Sequence, residues 1–191
     1  MILVLHQVQL GKQYTRGKIL LFHYAASDGQ TDVVSLLISA NANVNLAGIV
    51  HDIQSIMLTR SNTPLYWAAW EGHTEVVTLL ISANANVNQA NKNEQTQLYY
   101  AAWRGHTDVV SLLISANANV DRANNDGYTP LPCAAWEGNI EVVSLLISAN
   151  ANVIQASKDG YTPLDSAAQA GYTEVVSLLI SANANVNQAS K

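Results

Sequence analysis

The chain has 191 residues, of which 49% are hydrophobic, 7% aromatic and only 12% charged. That charged fraction is about half the roughly 25% usual in soluble domains, and so little charge beside so much apolar content excludes an intrinsically disordered chain. Nine Lys and Arg against fourteen Asp and Glu leave a net charge of −5, the wrong sign for a protein that meets nucleic-acid phosphates with a basic face.

The charges are unevenly spread: residues 1–60 hold four basic and three acidic groups, residues 61–191 five and eleven. No apolar run reaches the roughly 18 residues that a membrane-spanning helix needs. Cys133 is the sole cysteine, so neither an internal disulfide nor a multi-cysteine zinc site can form. Residues 1–14 read as an N-terminal extension. Their opening Met1-Ile2-Leu3-Val4-Leu5 is apolar, but it lacks a preceding basic residue and is too short for a signal peptide. A soluble intracellular protein is expected, cytoplasmic or nuclear, with no membrane insertion.

Self-comparison then dominates the reading. The string Val-Val-Ser/Thr-Leu-Leu-Ile-Ser-Ala-Asn-Ala-Asn-Val starts at Val33, Val76, Val109, Val142 and Val175, the last four starts being 33 residues apart. The first gap is ten residues longer. In chain order this gives a first unit over 15–47, an insertion over 48–57, and units over 58–90, 91–123, 124–156 and 157–189. Residues 190–191 are the start of a truncated next unit. The last Val-Val-Ser-Leu-Leu-Ile is as apolar as its internal counterparts, whereas terminal repeats need a polar outer face. Either a fragment of a longer array, the favoured expectation, or a last unit that frays or pairs with something is therefore expected.

Each unit reads as two helices and a turn. Pro64, Pro130 and Pro163 follow a Thr and suit the first helical turn, where a missing N–H costs nothing. A Leu and an Ala-Ala pair follow, forming a narrow face for close helix approach. Gly29, Gly72, Gly105, Gly138 and Gly171 stop this helix in the left-handed region. Thr74, Thr107 and Thr173 are placed to cap the second helix, with Asp32, Glu75, Asp108, Glu141 and Glu174 favourable in its first turn. The Val-Val-x-Leu-Leu-Ile run is apolar over most of its circumference and belongs inside a stack. Asn41, Asn84, Asn117, Asn150 and Asn183 suit a left-handed helix end. Asn125-Asp126-Gly127 and Lys158-Asp159-Gly160 suit hairpin-like reversals. In the insertion, Ile49, Ile53, Ile56 and Met57 recur at helical spacing and predict a loop or short helix with an apolar stripe. One unit cannot bury its own apolar face, so the units must stack into an all-α solenoid.

The 33-residue period, with Thr-Pro-Leu, Ala-Ala, Gly-His-x-Glu-Val-Val and Ala-Asn-Val-Asn, strongly resembles the ankyrin repeat over residues 15–189. The resemblance implies an ankyrin-repeat solenoid whose hairpin-like loops and first helices line a concave groove. Where the family carries His after Thr-Pro-Leu, this chain has Tyr66, Tyr99, Pro132 and Asp165. Gln97 replaces the Pro, and Glu94 stands where the hairpin Gly is expected, which predicts a looser turn in the third unit. The first unit, with Ile19-Leu20-Leu21-Phe22-His23, is the most divergent and suits a capping role.

The resemblance also implies a protein-binding scaffold or adaptor and no enzyme, acting alone or as the interaction or regulatory segment of a larger enzyme, channel or ubiquitin-ligase adaptor. The five copies allow their surfaces to be compared within one chain. The second helices are nearly identical, while differences collect in the hairpins and first helices. Trp70, Trp103 and Trp136 recur directly after Ala-Ala, at the family's groove-facing position. Stacked helices lie about 8–10 Å apart, so these indoles are expected to form a strip roughly 20 Å long. Glu71, Arg104 and Glu137 flank them and can select charge, and Tyr128 and Tyr161 occupy matching places in two hairpins. Trp is the commonest interface hot spot. These eight residues are the expected partner-binding set, with a basic or apolar protein surface as partner and the chain itself monomeric.

Other chemistry is sparse. His73 and His106 occupy equivalent repeat places and read as structural, not as a metal pair. Cys133 lies in a first helix and reads as packed, not nucleophilic. No phosphate-cradling Gly loop is present, and neither a metal nor another cofactor is expected. Asn45, Asn88 and Asn187 match the position that resemblance marks as a substrate for asparaginyl hydroxylation, whereas Asp121 and Ile154 do not.

Overall fold

The computed structural model describes residues 21–49 and 60–187. Helix α1 occupies residues 21–27 at the start of the described residues. It is followed by α2 (Thr31–Ser39), β1 (Gly48–Ile49), β2 (Arg60–Asn62), α3 (Pro64–Glu71) and α4 (Thr74–Ser82). The chain continues with α5 (Gln97–Arg104), α6 (Thr107–Ser115), α7 (Pro130–Trp136), α8 (Ile140–Ser148), α9 (Pro163–Ala170) and α10 (Thr173–Ser181). First helices α3, α5, α7 and α9 stack in one layer, and second helices α2, α4, α6, α8 and α10 stack in another. The core is a thin sheet of side chains running the length of the array between the two layers.

The Ala-Ala pairs explain the close stacking of the first layer. Ala68, Ala69, Ala101, Ala102, Ala134 and Ala135 are all fully buried. In the second layer the inward faces of α4, α6 and α8 each bury two Val and a Leu, such as Val109, Val110 and Leu113 in α6, while Ser111 and its counterparts face outward.

Helix starts follow a repeated chemistry. Thr63, Thr96 and Thr162 are N-caps whose side chains accept from the backbone N–H three residues on. Asp165 completes a reciprocal capping box with Thr162. Thr129 is the exception: its Oγ1 is buried with no hydrogen-bond partner. The cause is covalent. The residue three positions on is Pro132, which has no N–H to donate.

The second helices start differently from expectation. Thr74, Thr107 and Thr173 are the first helical residues, not the caps; the cap positions belong to His73, His106 and Tyr172, with Asn139 in the fourth unit. None of these side chains caps its own helix, because each is turned back onto the preceding unit. His73 Nε2 lies 2.8 Å from the Ser27 carbonyl oxygen and His106 Nε2 lies 2.9 Å from that of Trp70. A carbonyl only accepts, so in both rings Nε2 carries the hydrogen. Asn139 Nδ2 donates to the carbonyls of Ala102 and Trp103. Beneath these side chains lie Gly29, Gly72, Gly105 and Gly138, each at positive φ. A Cβ on Gly72 would stand 2.7 Å from His106 Nδ1, so this Gly is required by contact as well as by φ.

The loops carry a second set of ties between units. Asn45 Nδ2 donates to the Asn84 carbonyl and its Oδ1 accepts from the Asn86 N–H; Asn88 repeats the pair with Asn117 and Asn119. Asp121 keeps the acceptor half, taking the Asn152 N–H. The five Asn at the ends of the second helices have φ between 57° and 67°, as expected. The hairpins are linked by Asn125 N–H to Asn93 O and Lys158 N–H to Asp126 O, both 2.9 Å.

The turn at Glu94 is not looser. Glu94 takes φ 58° and its N–H closes on the Asn91 carbonyl at 3.0 Å, the distance at which Gly127 and Gly160 close theirs. The Glu94 carboxylate is drawn against Arg122, with Nη2 2.6 Å from Oε2. Ties to the following hairpin, from the Asn125 N–H to the Asn93 carbonyl and from Asn125 Nδ2 to the Lys92 carbonyl, and this pair hold the turn in a conformation that its residue type disfavours.

A further departure from an all-helical reading is the short antiparallel pairing of β1 with β2, Gly48 opposite Asn62 and Ile49 opposite Arg60, with a register shift between them. It joins the start of the insertion to the first residues of the next unit. The 1–14 extension, the body of the insertion with its apolar stripe, and residues 190–191 lie outside the described residues.

Candidate protein-binding groove

The Trp residues project from the last turns of the first helices. Each lies four residues after a Tyr or Pro on the same helix face, the spacing that brings side chains together. Where that residue is aromatic, the rings pack. Trp70 stacks on Tyr66 at 6.2 Å between centroids, meets Tyr100 at 4.5 Å and Trp103 edge-on at 6.1 Å. Tyr66, Tyr99 and Tyr100 are buried and, with Cys133, form a second apolar cluster distinct from the main core. Trp67 joins it through an edge contact with Tyr66 at 5.3 Å.

The expected Trp strip therefore divides. Trp70 is half-buried in this cluster, and the Arg104 guanidinium lies over its ring, 5.5 Å from the centroid. Trp103 and Trp136 are 39% and 47% exposed. Trp103 keeps its rings in the cluster on one side and donates its Nε1–H to Glu137 Oε1 at 2.7 Å on the other. Trp136 follows Pro132 instead of Tyr, and has no ring partner among the described residues.

Two adjoining concavities result. The first, about 400 Å³, is lined by Trp103, Tyr128, Trp136, Glu137 and Tyr161 from the expected set. The second, about 430 Å³, joins Trp70, Trp103, Arg104 and Glu137. Trp103 and Glu137 form the wall they share. Glu71, exposed at the end of α3, lines neither. Tyr128 and Tyr161 reach the first groove because each immediately precedes an N-cap Thr, where the returning hairpin meets the first-helix layer.

Sequence reasoning passed over Tyr99, Pro132, Cys133, Ser166 and Gln169, which also line the first groove. The signal for the first two was the four-residue spacing to Trp103 and Trp136. His23 was also missed: it stands six residues before Gly29, as Tyr66 does before Gly72. It is buried, with Nε2 2.9 Å from the Asn62 carbonyl, so it ties the first unit to the second.

Burial pushes the Cys133 thiol up to about 12, helped by the Glu137 carboxylate. Burial likewise holds the Tyr66, Tyr99 and Tyr100 hydroxyls well above the usual phenol range. In the unfolded chain these groups ionise near about 8.5 for Cys and 10 for Tyr. The folded chain keeps the protons to higher pH, so above about pH 8.5 the unfolded state binds fewer protons and stability falls as pH rises. The urea midpoint is expected to drop steadily from about pH 8.5 to 11, with the first part of the slope removed in Cys133→Ala. At neutral pH the native thiol is expected to resist a disulfide reagent that reacts at once with the urea-unfolded chain.

A family model of ankyrin repeats matches three overlapping stretches, residues 2–91, 65–156 and 124–190. A search of the curated proteins finds no match. No helix among the described residues is long and apolar enough to cross a membrane. Ankyrin repeats generally mediate protein–protein interaction and typically carry no catalysis. The match spans nearly the whole chain, and the paired layers, Gly stops and interlocked loops are those of stacked repeats: the chain belongs to the ankyrin-repeat family.

Proposed function

We propose that the chain is a protein-interaction scaffold of five repeats that binds its partner through the groove walled by Trp103 and Trp136. Tyr128, Tyr161 and Glu137 complete the contact, and Trp70, Arg104 and Glu71 extend it toward the first units. The observation that carries this reading is the exposure of two large indoles, at 39% and 47%, on one face beside open volume. Each indole can bury about 150–250 Å² on contact with a partner. Burial of that size is a dominant share of a typical interface hot spot, worth about 2 kcal/mol or more per residue.

Both indoles leave a large part of their surface exposed outside the main core, so their loss is expected to weaken binding far more than it lowers helix content. A chain with Trp103 and Trp136 both changed to Ala is expected to keep its helical circular dichroism. Its partner affinity should fall by about a hundredfold or more. Affinity capture with mass spectrometry, native chain against the double variant, identifies the partner and measures the loss. An unchanged set of captured proteins at unchanged occupancy would remove the groove from consideration. The net charge of −5 makes a basic or apolar surface the complementary one.

A further inference from the structure

The repeats present one local arrangement three times, filled in three different ways. Over Trp70, the side chain that follows the next unit's Trp is Arg104, and its guanidinium covers the indole face. One unit on, the corresponding residue is Glu137: the cation is replaced by a carboxylate, held at its Oε1 by the Trp103 indole N–H. Two units on it is Ala170, whose methyl carries no charge. The single ion pair among the described residues joins Arg122 to Glu94 in the hairpins, so Glu137 has no cationic partner there. Around Glu137 the rings of Trp136, Tyr128 and Tyr161 stand apart from one another and enclose the 400 Å³ groove, in contrast to the closely packed rings around Trp70. Arg104 opens onto the neighbouring concavity and does not line this one.

We infer that this groove receives an arginine side chain of the partner protein, its guanidinium lying against the Trp136 and Tyr faces and pairing with Glu137. The inference rests on the groove being the partner site and names what enters it. Aromatic faces attract a cation through the ring quadrupole, and a carboxylate beside them adds a charged acceptor. An apolar side chain would bury the Glu137 charge with the Trp103 N–H as its sole contact and no counter-charge, which is costly. Arginine suits the place better than lysine because its planar guanidinium stacks on rings while its edge meets a carboxylate. The chain itself supplies the precedent: Arg104 on Trp70 is the same contact made internally.

The test uses the whole chain with N-acetyl-arginine methylamide as probe, and N-acetyl-norleucine methylamide and N-acetyl-lysine methylamide as comparisons. Binding is followed by the indole N–H signals in proton–nitrogen NMR spectra, each assigned by a Trp→Phe variant. The arginine probe is expected to shift the Trp103 and Trp136 signals saturably and to leave Trp67 in place. The norleucine probe is expected to bind about fivefold more weakly or not at all, with lysine between them. Glu137→Gln, which keeps an oxygen for the Trp103 N–H, should weaken the arginine probe by about fivefold. Glu137→Arg should abolish its binding, because the chain then fills the site itself. Undisturbed Trp67 and Trp70 signals certify the fold of each variant, and Trp136→Ala provides an independent loss of the ring face. Equal binding of norleucine and arginine, no effect of Glu137→Gln, or no saturable shift at either indole would overturn the assignment. Loss of partner capture in the Trp103/Trp136 double variant, alongside any of those results, would leave the groove standing as the contact site and remove only the arginine.

Discussion

Gly72→Ala is expected to lower the unfolding free energy by about 3 kcal/mol, while Gly171→Ala, the equivalent change one end along, costs only about 1 kcal/mol. Both positions have nearly the same backbone, φ 81° and 83°, so both variants pay for a Cβ in the left-handed region. They differ in what the Cβ meets. At Gly72 it stands 2.7 Å from the ring of His106 and must expel it. That breaks the hydrogen bond from Nε2 to the Trp70 carbonyl and leaves the carbonyl exposed at a unit boundary. At Gly171 nothing lies within 4 Å. The difference between the two urea-unfolding curves thus isolates the tie between units from the cost of the turn. Equal losses would mean that the side chain resting on the Gly adds no stability and that only the backbone angle matters.

The second large effect belongs to the core. Leu113→Ala is expected to cost about 3–5 kcal/mol, the range for removing a buried Leu without collapse of the site. Leu113 is fully buried on the inward face of α6, which packs against α4 on one side and α8 on the other. Stability in a stacked array is close to a sum of unit terms and nearest-neighbour terms. Damage in this middle unit therefore weakens two boundaries at once. A lower urea midpoint should come with a shallower transition, as the array on either side unfolds separately. A simple shift of midpoint at unchanged slope would show that the array remains one cooperative unit despite the cavity. The same variant is expected to leave the groove intact below its transition, since α6 lies in the layer away from Trp103 and Trp136.

Much of the fold was legible because it is written in repeated units. A Pro after Thr, an Ala pair, a Gly stop and an Asn at the helix end recur at fixed spacing, and each keeps its local role in the structure. What local chemistry could not show was where a side chain is spent on a neighbour. Thr74 looked like a cap, but the helix begins there because His73, the residue before it, is committed to Ser27 in the unit behind. Glu94 looked like a poor turn residue, and its turn closes as tightly as those with Gly because Arg122 and the following hairpin hold it. Thr129 is the one case in which the sequence contained the whole answer, since Pro132 removes the donor that its cap requires.

The groove was half legible. Trp70, Trp103 and Trp136 share one place in the repeat, and from the chain alone they are equivalent. They differ in space because of what stands four residues before each and one repeat away: Tyr66 and Tyr100 enclose the first, Tyr99 flanks the second, and Pro132 leaves the third open. The sequence by itself determined the unit, its period and the face on which the indoles lie, since those follow from periodicity and from residues whose backbone preferences are local. Only the tertiary structure decided which indoles are consumed by packing and which remain to meet a partner, because ring contacts form between units, across a distance that no spacing within a single unit encodes.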